Sequence, residues 1–284
     1  MSKLRMVKMA VIQTQEWLYN FLDACKNPSN ITPFQLQREH LCKPMETYFS
    51  TNNLESLHFE LLNNGLFEPS EWTGIEKSLI EMKNRRIWQS VEEEYQFLKE
   101  KWNGPEASIF IFPIKIESEH IIKKNGIAYP GKLLLFISSD LPEYGLKSLL
   151  SHEYNHVCRF QHIGLELNHI PLKDSLVIEG LGEFSVQEQY GEKWLAPWTQ
   201  SFSFEETIEL WRRYFIPALN MTGRDKQTVF MYGNNNNPFP NWIGYSIGYQ
   251  IVNSFQKNHG PFLKGELYAI STDELIEGSS YRLQ

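Results

Sequence analysis

Two histidines separated by three residues constrain this chain more than any other feature of its sequence. They belong to the segment His-Glu-Tyr-Asn-His at residues 152–156. On a helix, residues four apart lie on the same face, about one turn from each other. Two imidazoles in that position can bind one cation such as Zn²⁺, and Glu153 between them can accept a proton from a water that the metal activates. The motif therefore predicts a zinc site with His152 and His156 as ligands and Glu153 as general base.

The residues around this motif favour a helix that follows a buried strand. Apolar residues recur at helical spacing through the segment, and Gly164 follows it as a stop signal. Just upstream, residues 133–137 form the short apolar run that is typical of a buried strand. A chance pair of histidines is the competing interpretation, and this order of strand, loop and helix argues against it.

The overall composition indicates a folded chain that does not bind nucleic acid or a membrane. The chain has 284 residues, of which 42% are hydrophobic and 21% charged, enough for one large domain or two modest ones. A net charge of −7 argues against a nucleic acid or an anionic membrane as partner. Residues 1–20 lack the pattern of a signal peptide, and the three cysteines cannot all pair, which fits a reducing compartment. We therefore expect a cytoplasmic protein, and the sequence leaves its oligomeric state open.

The pattern of residue types changes near residue 104, from helical periodicity to strand-like segments. Residues 1–102 have helical periodicity, beginning with an amphipathic segment at Leu4–Ala24, and Asn-Gly-Pro at 103–105 interrupts the pattern. Strand-like segments follow, and after them two predicted helices carry further candidate site residues. One runs over 174–189 with Asp174 as its cap, and the other is capped by Asn241 and reaches about Lys257.

Two interpretations compete for the third ligand that a catalytic zinc ion needs. His162 lies six residues after His156, a spacing that works only if a glycine lets the helix turn back. This chain has Arg159 at that position, so a continuing helix would carry His162 out of reach. The other candidates are Glu179 and Glu183, which share one face of the second helix.

The glycines beside these glutamates indicate close packing. Gly180 and Gly182 each cost the helix about 1 kcal/mol relative to alanine. Two such residues inside one helix suggest that another backbone or a metal site approaches there. The competing interpretation is a surface helix with two solvated glutamates.

The two segments together resemble the gluzincins, metallopeptidases in which a second helix supplies a carboxylate to the H-E-x-x-H site. The resemblance implies Glu179 as the third ligand and Glu183 as the acid that orients a zinc-bound histidine, with swapped roles as an alternative. It also implies one Zn²⁺ per chain. The expected fold is α+β and zincin-like, mainly helical with a small mixed sheet beside the H-E-x-x-H helix. We accordingly predict a helical N-terminal region over 1–104 and a zincin-like metallopeptidase domain over 105–284.

A narrower resemblance covers about residues 109–252. Segments 152–159, 174–183 and 242–252 are jointly similar to a bacterial family of predicted zinc-dependent proteases, a label that is itself inferred. Gly182 departs from the alanine expected in that family's E-G-L-A segment, and we expect no effect on the chemistry.

The same resemblance suggests where substrate binds and what stabilises the transition state. In zincins an edge strand pairs with the extended peptide, and Gly126, Ile127, Ala128 and Tyr129 precede the apolar strand in the corresponding order. An ordinary hairpin explains these four residues equally well.

A hydrogen-bond donor for the oxyanion is also needed. Tyr245 is the best candidate, although Tyr245 and Tyr249 on one helix face could also be an aromatic core stripe. Tyr249 lies one turn deeper and is expected to be packed. His259 and Arg224 are weaker candidates.

Three functions remain in competition at this stage. The leading one is zinc-dependent hydrolysis of a peptide or protein substrate. The second is a zinc-stabilised binding or regulatory protein without turnover, which would have no need of the base Glu153. The third is hydrolysis of an amide that is not a peptide.

Overall fold

The computed structural model describes residues 9–27, 30–51, 53–116, 122–164, 169–234 and 238–283. The fold is α+β, as predicted, and mainly helical with a small mixed sheet. No helix within the described ranges is both long enough and apolar enough to cross a bilayer. The α-helices are α1 (Thr14–Lys26), α2 (Pro33–Gln37), α3 (Glu46–Phe49), α4 (Leu54–Asn63), α5 (Trp72–Asn84), α6 (Ile87–Trp102), α7 (Glu143–Ile163), α8 (Leu172–Tyr190), α9 (Phe204–Leu210), α10 (Arg224–Tyr232), α11 (Ile243–His259), α12 (Glu266–Ala269) and α13 (Thr272–Glu277).

The sheet has three strands, β1 (Ser108–Pro113), β2 (Lys124–Tyr129) and β3 (Lys132–Ile137), in the order β1-β3-β2. β1 runs parallel to β3, and β2 runs antiparallel to it. The central strand β3 is the apolar run singled out in the sequence, and its residues 133–137 are all buried. β2 carries the proposed substrate-binding residues and is an edge strand, since β3 alone pairs with it among the described residues. Its role in binding substrate stays a prediction.

The chain divides into two compact units. The first comprises residues 1–97 and 106–150, and the second comprises residues 98–105 and 151–284. The sheet thus belongs to the same unit as the N-terminal helices. The predicted boundary near residue 104 groups it instead with the later helices, and that division into domains stays a prediction.

The first predicted helix begins later than its amphipathic pattern suggested. Its start at Leu4 lies outside the described residues, and α1 begins only at Thr14. Val11 instead forms a parallel bridge with Ile109 of β1, and its backbone N–H donates to Glu92 at 2.8 Å. Pairing with a strand distant in sequence therefore outweighs the local helical preference, which a periodicity pattern cannot anticipate.

Helix caps also differ from the predictions. α8 begins at Leu172, so that Asp174 lies inside its first turn rather than capping it. α11 begins at Ile243 after Trp242, whose backbone is left-handed, and not after Asn241. Both predicted caps are therefore wrong, although both helices exist close to their predicted bounds.

Arg159 ties together three segments of the second unit. The residue is only 2% exposed, and its guanidinium donates to the carbonyl oxygens of Tyr268 and Ile270 and to the hydroxyl of Thr272. Thr272 in turn donates to the buried Asp174 on α8. Arg159 thus holds the C-terminal segment against α7 and α8. It occupies the position at which ligation by His162 would need a glycine.

Arg159→Ala is expected to lower the free energy of unfolding by about 3–5 kcal/mol, the cost typical of removing one partner from a buried charged network. It removes the buried cation and leaves the two carbonyl oxygens and Asp174 without it. Urea denaturation would measure the change. Arg213→Ala is the matched control, since Arg213 is exposed and lies over the Tyr214 ring. A loss no larger than that of the control would contradict the structural role of Arg159.

Candidate metal centre

Three potential metal ligands converge between α7 and α8 in the second unit. His152 and His156 lie one turn apart on α7, and Glu179 lies on α8. Glu179 Oε2 lies 3.2 Å from His152 Nε2 and 3.6 Å from His156 Nε2. One ligand atom from each residue lies within 4.8 Å of the other two. Among the described residues, this is the group of histidine, cysteine and acidic side chains that could hold a metal ion.

The donor set fits zinc. Two histidines and one glutamate are a known ligand set for catalytic zinc, and ligand bonds of 2.0–2.2 Å put tetrahedral ligand atoms about 3.4 Å apart. The separations of 3.2 and 3.6 Å bracket that value. The second separation is too long for a hydrogen bond. His152 Nε2 can hydrogen-bond the Glu179 carboxylate at 3.2 Å. A cation held by all three side chains would also account for the approach of His156, which a hydrogen bond does not explain.

Glu183 lies on the other side of the His152 ring. Its Oε1 is 3.0 Å from His152 Nδ1, and its Oε2 accepts a hydrogen bond from the backbone N–H of Ala196 at 2.9 Å. A carboxylate on the nitrogen away from the metal fixes the tautomer and the ring orientation of a ligating histidine. The geometry therefore favours Glu179 as ligand and Glu183 as its supporting acid, and not the swapped roles.

Glycines create the space for this arrangement. A Cβ added at Gly182 would lie 2.9 Å from the His152 ring, which is too close. Alanine at this position, as in the E-G-L-A form, would therefore press on a ring that two carboxylates hold. The departure from alanine thus affects how the His152 ring packs, and the expectation that it leaves the chemistry unchanged stays a prediction.

Gly180 and Gly248 bring α8 and α11 into backbone contact. A Cβ at Gly180 would lie 2.1 Å from the carbonyl oxygen of Gly248, and one at Gly248 would lie 2.0 Å from that of Leu176. The predicted close approach of another backbone is therefore present. It sets the position of α11, and with it that of Tyr245, relative to the helix that carries Glu179.

Burial and neighbouring charges shift the pKa values of all three candidate ligands. Burial lowers the pKa of His156 to about 4, so that its imidazole is neutral, the form that binds metal. Burial also opposes protonation of His152, but hydrogen bonds to Glu179 and Glu183 outweigh it and raise that pKa. For Glu179, burial would raise the pKa, but His156 and the hydrogen bond to His152 lower it overall. The centre thus combines a neutral His156, a His152 that favours its protonated form and an ionised Glu179. Zinc would therefore take the place of the proton on His152.

The two tyrosines of α11 have different surroundings. Burial raises the pKa of the Tyr245 phenol, and the nearby charge of Glu179 raises it further, with a smaller effect from Glu153. The Tyr245 hydroxyl donates to that of Tyr232 at 3.1 Å. Tyr249 is buried, and its hydroxyl donates to Gln187 at 2.9 Å. Tyr245 is therefore the one placed beside the candidate ligands, with its phenol neutral.

The other candidates lie apart from this group. α7 continues to Ile163 without a turn at Arg159, and His162 is exposed near its end. The His259 ring packs on Phe255 and contacts the carbonyl oxygen of Gly278 at 3.1 Å. Arg224 is the first residue of α10. Glu153 is buried on α7, next to His152 in the chain, and its role as general base stays a prediction.

Two groups that support the candidate site were not identified from the sequence. The backbone of Ala196 supports Glu183, and Tyr232 contacts Tyr245. A backbone N–H has no side-chain signature, and Tyr232 precedes a glycine- and asparagine-rich stretch that looks like an ordinary loop. Neither could be found from motif spacing.

Comparison with known proteins agrees with the geometry. A family model described as "Predicted Zn-dependent protease" matches residues 87–277, more than half of the chain. The chain belongs to this family. It is also 28% identical to the uncharacterized protein YjaZ of Bacillus subtilis (strain 168) over 254 residues, which are 87% of this chain and 91% of that protein. A second relative, the uncharacterized protein YjfC of the same organism, is 30% identical over 148 residues, 46% of each chain. No solved structure matches the chain significantly.

Proposed function

We propose that this member of the family hydrolyses peptide bonds with one zinc ion per chain, held by His152, His156 and Glu179. The observation that carries the proposal is the convergence of these three side chains around Glu179 Oε2 at 3.2 and 3.6 Å, with Glu153 on the same helix. A gluzincin-type metallopeptidase needs this ligand set together with that base.

The roles of the side chains follow from their chemistry. Zinc, when bound, supplies a Lewis acid that polarises the substrate carbonyl and acidifies a water molecule. Glu153 accepts the proton of the attacking water and then passes it to the leaving amine as the peptide bond breaks. Tyr245 donates a hydrogen bond to the carbonyl oxygen as negative charge develops on it. Glu183 holds the ring of His152 in one orientation throughout.

The direct test combines metal analysis with a peptide-library assay on the purified protein. We expect one zinc ion per chain, cleavage of library peptides, loss of cleavage with a chelator and recovery when zinc is added back. Bound zinc without cleavage of any peptide would instead support the non-catalytic binding protein. An absence of zinc would reject both.

Tyr245→Phe is expected to lower kcat by roughly 10²-fold, as the loss of one oxyanion donor does in other enzymes. Zinc content and thermal stability should change little, because the ring is retained. Steady-state kinetics with a cleaved library peptide would measure the effect. Tyr249→Phe is the matched control and should do less, since the Tyr249 hydroxyl faces Gln187 whereas Tyr245 faces Glu179. The reverse ranking would move the donor to Tyr249.

A further inference from the structure

Four aromatic side chains, Trp198, Tyr232, Trp242 and Tyr245, gather at the start of α11. The centroid of the Tyr245 ring lies 5.2 Å from that of Trp198, 5.4 Å from that of Tyr232 and 5.2 Å from that of Trp242. Tyr232 and Trp242 also contact each other at 5.3 Å. We call these four residues the aromatic cluster. Tyr232 and Trp242 are 46% and 43% exposed, so that burial in a core does not explain why two large rings are held here.

The connection between α10 and α11 is built to hold these two exposed rings together. The backbone N–H of Trp242 donates to the carbonyl oxygen of Tyr232 at 2.9 Å. Gly233, at φ +73°, lets the chain pass so close to Pro240 that a Cβ would lie 2.1 Å from its carbonyl oxygen. The turn therefore brings the end of one helix against the start of the next.

Trp242 has a strained backbone. Its φ of 65° and ψ of 18° are left-handed, a conformation that is an outlier for a bulky side chain. Such strain costs conformational energy and persists mainly at functional sites, where the surroundings impose it. An exposed tryptophan in this conformation contributes little to a core. Its position beside Tyr245 is thus better explained by ligand binding than by folding.

The aromatic cluster is continuous with the candidate metal centre. Tyr245 contributes the ring that the other three contact. It lies on α11, whose backbone is in contact with that of α8, and its hydroxyl is close enough to Glu179 for the two groups to shift each other's pKa. The segment that carries Trp198 is also anchored to the centre, because the N–H of Ala196 donates to Glu183. A peptide whose carbonyl oxygen receives a hydrogen bond from Tyr245 therefore has a neighbouring side chain next to the exposed rings.

The inference rests on the hydrolytic function proposed above. We propose that the exposed faces of Tyr232 and Trp242 form a subsite for an aromatic or large aliphatic side chain of the substrate, next to the bond that is cleaved. Aromatic rings accept such side chains by stacked or edge-to-face contact and remove their apolar surface from water. The acidic groups beside Tyr245 disfavour a carboxylate at the same place. The substrate class is thus a peptide with a bulky apolar residue flanking the scissile bond.

The test uses blocked peptides of glycine and alanine in which a single Phe replaces Ala at successive positions. Tryptophan fluorescence would report binding to the zinc-loaded Glu153→Gln protein, and kcat/KM would be measured with the wild-type protein. We expect the best Phe peptide to bind, and to be cleaved, about tenfold or more better than its Ala counterpart, from the burial of one aromatic side chain. Trp242→Asn should reduce this ratio to below about threefold, since asparagine accepts a left-handed backbone but lacks the ring.

Tyr232→Ala provides a second, independent variant at the exposed end of α10, and thermal denaturation would check the folding of both. Phe204→Ala is the control, because Phe204 is similarly exposed at 41% but packs on Tyr281, outside the aromatic cluster. It should keep the full Phe preference.

The outcomes separate this inference from the proposed function. Equal or absent binding of Phe and Ala peptides, or a preference that survives both Trp242→Asn and Tyr232→Ala, would overturn the subsite and leave hydrolysis untouched. A Phe preference in binding that these variants abolish, without cleavage by the wild-type protein, would establish the subsite and reject hydrolysis.

Discussion

Glu153→Gln is expected to lower turnover by about 10²–10⁴-fold, the contribution typical of a general base. The amide has nearly the same shape as the carboxylate but cannot accept the proton of the attacking water. Glu153 is buried on α7 between two candidate ligands and is itself not one of them. Zinc content should therefore stay at the wild-type level, and the fold should be retained. Single-turnover kinetics with a library peptide, together with metal analysis, would measure both quantities.

The matched control for this variant is Glu143→Gln, which removes an exposed carboxylate from the first turn of the same helix. It should leave turnover close to that of the wild-type protein. Near-normal turnover in Glu153→Gln would exclude Glu153 as the base, and a loss of zinc from that variant would show that Glu153 contributes to metal binding instead.

Removal of a metal ligand should have an equally large effect, through the zinc itself. We expect His156→Ala and Glu179→Ala to lose the metal and all metal-dependent hydrolysis, because two remaining protein ligands do not make the three-ligand site that catalytic zinc uses. Equilibrium dialysis against a zinc buffer would measure the affinity, and activity would be followed in parallel.

Two further variants make this test specific. Glu183→Gln should keep zinc but weaken its binding by about 10–100-fold, the effect typical of a residue that orients a ligand. His162→Ala should bind zinc as the wild-type protein does, since His162 is exposed and lies outside the ligand group. Loss of zinc from His162→Ala together with its retention in Glu179→Ala would reverse the assignment of the third ligand.

Local spacing was sufficient for part of this site. The placement of His152 and His156 on one helix face follows from helix geometry alone, and so does that of Glu179 and Glu183 on one face of the next helix. The apolar run at residues 133–137 likewise indicated a buried strand without any knowledge of its neighbours. These features depend on residues close together in sequence, and the structure contains each of them.

The tertiary structure decided what spacing left open. Which glutamate faces His152 Nε2 and which faces Nδ1 depends on how α8 is rotated against α7. Long-range contacts likewise placed Val11 in a bridge rather than in a helix, and they brought Trp198, Tyr232 and Trp242 around Tyr245. The sequence alone determined the elements and the chemistry that each face carries. Only packing between distant segments decided which of those faces meet, since it depends on backbone approach and side-chain shape that local periodicity does not encode.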